Sequence, residues 1–203
     1  MPRPIPTVTR ALLVANVIVF GLQWFTGSLL ELNFALWPPA DVQYPGAGHL
    51  QLWQPITYAF LHGSVQHLFF NMLALYMFGG DVEQLLGVRR YTIYYFACVL
   101  GAAAAQLFVM SRMEGPPHAT LGASGGVFGL LLAFGMAFPQ RRILLLFPPI
   151  PMPAWLFVTL YGLLELTLGV TGTEDGVAHF AHLGGMAAGF ALLTNWGWRV
   201  RRR

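Results

Sequence analysis

Residues 119–138 read ATLGASGGVFGLLLAFGMAF, a run with no charged side chain and about the length a helix needs to cross a bilayer. Its opening, Gly122-Ala123-Ser124-Gly125, sets a hydroxyl among small and apolar neighbours. Further on, Ala181-His182-Leu183-Gly184-Gly185 sets an imidazole near the start of a second such run. A nucleophile and a base are thus kept in lipid. Ionisable groups there are costly, and each is a functional hypothesis by default.

The rest of the chain has the same character. Of its 203 residues 56% are hydrophobic and only 9% charged, against roughly 25% charged in soluble domains. Mean hydropathy is +0.60. Apolar runs lie near 9–30, 64–86, 91–111, 119–138, 143–169 and 177–197, which predicts an all-α membrane protein: a six-helix transmembrane bundle with a long first external loop. No linker divides residues 1–203, so one transmembrane domain is expected. The first run could be taken for a signal peptide, but it continues through Trp24, Phe25 and Leu30, longer than the usual apolar core of one. The single cysteine, Cys98, excludes an intrachain disulfide and reads as a small buried residue.

The pI near 9.4 invites a nucleic-acid partner, but the distribution of charge argues against one. The 11 basic residues are all arginine, and they cluster at the ends of runs. Arg3, Arg10, Arg89, Arg90, Arg141, Arg142, Arg199, Arg201, Arg202 and Arg203 fall on one face of a six-span topology. Arg112 falls on the other, with Glu31, Asp41, Glu114, Glu174 and Asp175. By the positive-inside rule both termini are cytoplasmic. The expected location is the plasma membrane of a bacterium.

Topology then sets depth. The fourth and sixth spans both enter from outside, near Ala119 and Val177, so Ser124 and His182 are each about five residues in, roughly 7 Å at 1.5 Å per residue. Small residues recur at i, i+4 in both spans: Gly122 with Gly126, Gly125 with Gly129, and Ala181, Gly185 and Gly189. Such stripes let helix backbones approach closely, as a serine–imidazole hydrogen bond of about 2.6–3.2 Å requires. In the second span Gly63-Ser64 reads as a break and N-cap. His67 and Asn71 follow at i, i+4 on one face, at similar depth. Both can donate hydrogen bonds to an oxyanion.

With these residues the chain resembles the rhomboid family of intramembrane serine proteases, in its six-span core form. The motifs are His67-x-x-x-Asn71, Gly122-x-Ser124, Ala181-His182, and Gly79-Gly80-Asp81-Val82-Glu83-Gln84-Leu85-Leu86-Gly87 at the end of the second span. The resemblance implies Ser124 as nucleophile and His182 as general base and acid, a dyad with no obligatory carboxylate. It implies an oxyanion hole of His67, Asn71 and the Ser124 backbone N–H. Gly122 and Gly125 would let the backbone pass close to the substrate, and Phe128 stands where many relatives stack a tyrosine on the catalytic imidazole. No cofactor or metal is implied. The implied partners are single-span membrane proteins with helix-weakened transmembrane segments, reached within the lipid bilayer and cut toward the outer face, with spans 2 and 5 flanking the way in.

The remaining polar residues carry plainer expectations. Trp53-Gln54 replaces a common Trp-Arg pair, which puts the ion pair that would stiffen the first loop in doubt. His179 is a rival base, yet His182 directly precedes the glycine stripe. His62 is expected to make a structural hydrogen bond, and His49 and His118 read as loop residues. Glu165 is expected to snorkel or stay neutral near the outer end of span 5 rather than complete a triad. A zinc site on His62, His67, His179 and His182 lacks a His-Glu-x-x-His motif. A transporter should carry polar residues through the full depth. A catalytically silent helix-binding relative should lack the serine or the histidine.

Overall fold

A computed structural model describes residues 4–39, 48–112, 118–145, 149–171 and 178–197. In chain order it contains α1 (Thr7–Thr26), α2 (Leu29–Phe34), and α3 (Gln54–Thr57) with a 3-10 turn (Tyr58–Phe60). Next come α4 (Val65–Ala74), a π-helical turn (Leu75–Gly79), α5 (Gly80–Leu86), α6 (Val88–Met110) and α7 (Ser124–Ala137). The hairpin β1 (Arg142–Leu144) and β2 (Pro151–Pro153) precedes α8 (Ala154–Thr171) and α9 (His179–Asn195). Arg3, Asp41, Tyr44, Glu114, Pro148, Glu174, Asp175, Arg199, Arg201, Arg202 and Arg203 lie outside the described residues.

Among the described residues α1, α6 and α8 are long and apolar enough to cross a membrane. Their outward faces carry large apolar side chains, such as Val14, Ile18 and Leu22 on α1 and Leu160, Leu163 and Leu166 on α8. A lipid environment tolerates such surfaces and water does not. Polar contacts collect the helix ends into two sets. At one end the N–H groups of Val8 and Thr9 donate to Glu83 on α5, Arg141 pairs with Asp81, and the Arg90 guanidinium lies 5.6 Å from the centre of the Trp196 ring. At the other end Gln23 and the His62 backbone exchange hydrogen bonds, and Leu36 pairs with Thr120. The long segments therefore alternate in direction.

Two expected boundaries are corrected. The fourth helix begins at Ser124 rather than near Ala119, because Gly122 takes φ +128°, a value outside any helix. The fifth begins at Ala154 rather than 143. Arg142–Leu144 and Pro151–Pro153 pair instead as antiparallel strands, with Arg142 opposite Pro153 and Leu144 opposite Pro151. Proline lacks the N–H that a helix interior needs and is tolerated at the edge of a ladder.

The core is a three-helix contact of α6, α7 and α9 built on absent side chains. A Cβ on Gly125 would lie 2.3 Å from Ala102 Cβ, one on Gly129 would lie 2.3 Å from Cys98 Sγ, and one on Gly185 would lie 2.1 Å from the Gly125 carbonyl oxygen. Tyr94 Oη donates to the Gly129 carbonyl at 2.7 Å, tying α6 to α7. These contacts leave no slack between the helices that carry Ser124 and His182.

Candidate active site

The site begins with a short helix. The 14 residues of α7 rise about 21 Å, some 9 Å less than a hydrocarbon core of ~30 Å, so the helix that starts at Ser124 is too short to cross one alone. Extended backbone leads into it. Such backbone is tolerated at depth only where it is covered by protein or lines a cavity, and here it is paired. Leu36 and Thr120 exchange two N–H···O bonds of 2.9 Å, and Gly122 N–H donates to the Tyr58 carbonyl at 2.9 Å. Ser124 is thus the first residue of its helix, not about five residues in. An N–H in the first turn has no intrahelical acceptor.

His182 stands in the first turn of α9, and its Nε2 lies 2.8 Å from Ser124 Oγ. Phe128, one turn along α7, stacks flat on the His182 ring with centroids 4.2 Å apart and planes 5° from parallel. Tyr161 of α8 stacks on Phe128 at 5.1 Å, extending the pile toward α8. Ser124 and His182 border a cavity of about 1260 Å³, shared with His67 and Asn71 from α4 and with Phe157 and Tyr161 from α8.

The neighbouring donors come from α4. Ser64 caps that helix by accepting the His67 N–H at 3.1 Å, as its sequence position implied. The His67 ring lies over Gly122: a Cβ there would fall 2.7 Å from His67 Cε1 and 2.8 Å from Nε2. Gly122 therefore serves the site twice, through its positive φ and through the space it leaves for the imidazole. Gly125 also lines the cavity, and a Cβ on it would meet Ala102 of α6 at 2.3 Å. Asn71 is buried, and its Nδ2 donates to the His67 carbonyl at 3.2 Å. An amide has a second N–H to offer.

Glu165 departs from expectation most. It does not snorkel: it is 5% exposed, and its Oε2 lies 2.8 Å from His182 Nδ1 and 2.7 Å from His179 Nδ1. His179 therefore meets the carboxylate and not the serine. The four-histidine zinc set is likewise regrouped, because the compact ligand-type cluster among the described residues is Glu165, His179 and His182, with potential donor atoms within 4.8 Å of one another. A sequence signal for Glu165 did exist. Val158, Gly162, Glu165 and Gly169 repeat at i, i+4, i+7 and i+11, a stripe that faces a partner helix.

Two loop residues also differ from expectation. Gln54 is fully buried and makes four hydrogen bonds: its Oε1 accepts from the N–H groups of Trp37 and Gln51, and its Nε2 donates to the carbonyls of Asn33 and His49. The first loop is thus braced by a neutral amide where an ion pair was in doubt. His62 makes its hydrogen bonds through its backbone only. Both ring nitrogens are buried with no hydrogen-bond partner among the described residues, and the ring meets His67 edge-on at 5.0 Å.

A rhomboid domain model matches residues 49–199, most of the chain. The chain belongs to the rhomboid family. Similar rhomboid proteins include the mitochondrial Rhomboid protein 1 of Saccharomyces cerevisiae, 32% identical over 148 residues, 71% of this chain and 40% of the yeast protein. RHOMBOID-like protein 4 of Arabidopsis thaliana is 35% identical over 141 residues, 69% of this chain and 33% of its own. The Rhomboid protease GlpG of Yersinia pestis is 26% identical over 204 residues, 97% of this chain and 64% of its own. The chain thus spans less than two thirds of the length of each of these relatives. Membership makes the helical bundle a membrane bundle and puts its apolar outer faces in lipid.

Proposed function

We propose that this rhomboid is an intramembrane serine endopeptidase that cuts other membrane proteins in or beside their transmembrane segments. The observation that carries the proposal is the 2.8 Å contact between Ser124 Oγ and His182 Nε2 at the start of α7. Kinship with a protein named as a rhomboid protease supports it. In the proposed reaction Ser124 Oγ attacks the scissile carbonyl carbon while its proton passes to His182 Nε2. The negative oxygen that forms is held by the Ser124 N–H, the His67 ring and the Asn71 amide. His182 then gives the proton to the leaving amine, the C–N bond breaks, and an acyl-serine remains. Water, deprotonated by the same imidazole, hydrolyses that ester and frees Ser124. Removing one such oxyanion donor typically costs ~10²–10³ in kcat.

The cavity lies between α4 and α8, and this supports access of a substrate helix from the side, between those two elements. A helix can be cut only after local backbone carbonyls leave their intrahelical bonds, so glycine, proline or other helix-weakening residues near the site should mark substrates. Resemblance to the family implies a small residue before the scissile bond. With both termini cytoplasmic in a bacterial plasma membrane, the site opens outward and the fragment leaves on that side. The test is cleavage of a helix-weakened transmembrane substrate by the purified chain in liposomes. Ser124→Ala and His182→Ala should each abolish cleavage. Undiminished cleavage by either ends the assignment, and helix binding without cleavage by the unaltered chain replaces it with a catalytically silent helix-binding role.

A further inference from the structure

We propose that Glu165 is a positioning residue for His182, turning the serine–histidine pair into a carboxylate-oriented triad in which His179 secures the carboxylate. This inference rests on the proteolytic reading above. The geometry has three parts. Glu165 Oε2 lies 2.8 Å from His182 Nδ1, while the opposite nitrogen of the same ring lies 2.8 Å from Ser124 Oγ. An ionised carboxylate can only accept, so the His182 proton must sit on Nδ1. The Nε2 lone pair then faces the serine, and this is the tautomer that can take the Ser124 proton. Without an acceptor at Nδ1, the ring could carry its proton on Nε2 and could not act as a base.

His179 supplies the second part. Its Nδ1 meets the same Oε2 at 2.7 Å, so two N–H donors from one turn of α9 converge on one oxygen. The carboxylate cannot swing toward solvent without losing both. The third part is the placement of Glu165 on α8. Among the described residues of that helix Ala154, Val158 and Glu165 are buried, and Glu165 is the polar one of the three, bonded to two histidines of α9. As proton transfer proceeds, the imidazolium that forms lies directly against a carboxylate in a site of low dielectric, where opposite charges attract far more than in water. The pair therefore favours the state that follows attack, and its effect belongs to kcat.

The test compares Glu165→Leu, Glu165→Gln, Ser124→Ala and the unaltered chain in liposomes. Glu165→Leu removes both acceptor and charge. Its kcat should fall on the order of 10²-fold with KM within about threefold, less than the ~10⁴-fold loss when a soluble triad's acid is changed to its amide, because Phe128 still stacks on the ring. Glu165→Gln keeps an acceptor oxygen, but its NH2 group can donate to Nδ1 and fix the unproductive tautomer, so it should lose at least as much as Glu165→Leu. Normal kcat in Glu165→Leu with Ser124→Ala inactive overturns the positioning role and leaves the protease reading intact. Cleavage surviving in Ser124→Ala overturns the protease reading instead. A second measurement does not depend on variant folding. In ¹⁵N-histidine spectra of the unaltered protein, with His182 assigned by its loss in His182→Ala, neutral His182 should carry its proton on Nδ1. A proton on Nε2 overturns the proposal.

Discussion

Adding one methyl group at Gly185 should separate the serine from the histidine without touching either. A Cβ at that position would lie 2.1 Å from the Gly125 carbonyl oxygen, 2.9 Å from its carbonyl carbon and 3.2 Å from its Cα. The obstacle is backbone, so no side chain can rotate out of the way. Restoring an ordinary contact of about 3.4 Å requires α9 to move off α7 by about 1.3 Å. His182 lies one turn before Gly185, and Ser124 is bonded to Gly125, so the shift reaches the pair almost undiminished. The 2.8 Å contact would open to about 4 Å, beyond hydrogen-bond range. Misplacement of about 1 Å can cost ~10²-fold in rate, about 2.7 kcal/mol in barrier. Gly185→Ala should therefore lose at least that much kcat on a reconstituted substrate. Gly21→Ala is the control, since nothing lies within 4 Å of its added methyl and it should remain active. A folded Gly185→Ala protein with activity within threefold of the unaltered chain would refute the claim that close α7–α9 packing sets the distance between Ser124 and His182.

Other residues should separate into catalytic and structural classes. His67→Ala and Asn71→Ala should each reduce kcat by ~10²–10³ while KM changes little; a rise confined to KM would assign them to substrate binding. Gln54→Leu leaves the Trp37 and Gln51 N–H groups and the His49 carbonyl without their partner, while the Asn33 carbonyl keeps its bond from Trp53 Nε1. At about 1–3 kcal/mol for a buried unsatisfied group, thermal unfolding should come several degrees earlier, and an unchanged midpoint would show that the first loop does not depend on this amide. Burial, with His67 adding to it, lowers His62 from its ordinary range to about 4 in the turn ahead of α4. The unfolded chain then binds more protons than the folded one between roughly pH 4 and 6.5, so stability should fall as pH drops through that window. His62→Leu should flatten this part of the stability–pH curve. An identical slope in the variant would place the titration elsewhere.

The amino-acid sequence alone carried the membrane class, the alternation of long helical segments and the pairing of Ser124 with His182. Each of these rests on local quantities: run length, the arginines at run ends, and small residues at helical spacing. The helix starts were less legible. Gly122 sets the start of α7 through a backbone angle, and the prolines before Ala154 favour a hairpin whose partner strand lies upstream. Composition over the window 143–169 registers only that it is apolar.

Glu165 marks the sharpest division between the two levels. Its residue type and position permit a snorkelling side chain, and its stripe with Val158, Gly162 and Gly169 hints at a buried face. Only the packing of α8 on α9 brings its carboxylate between His179 and His182. Gln54 follows the same rule, since its four partners lie on separate stretches of the first loop. A sequence fixes which donors and acceptors exist and on which helical face they stand. Which of them meet, and so which proton faces the serine, is settled by contacts between segments distant in the chain, where a shift of one ångström makes or breaks a hydrogen bond.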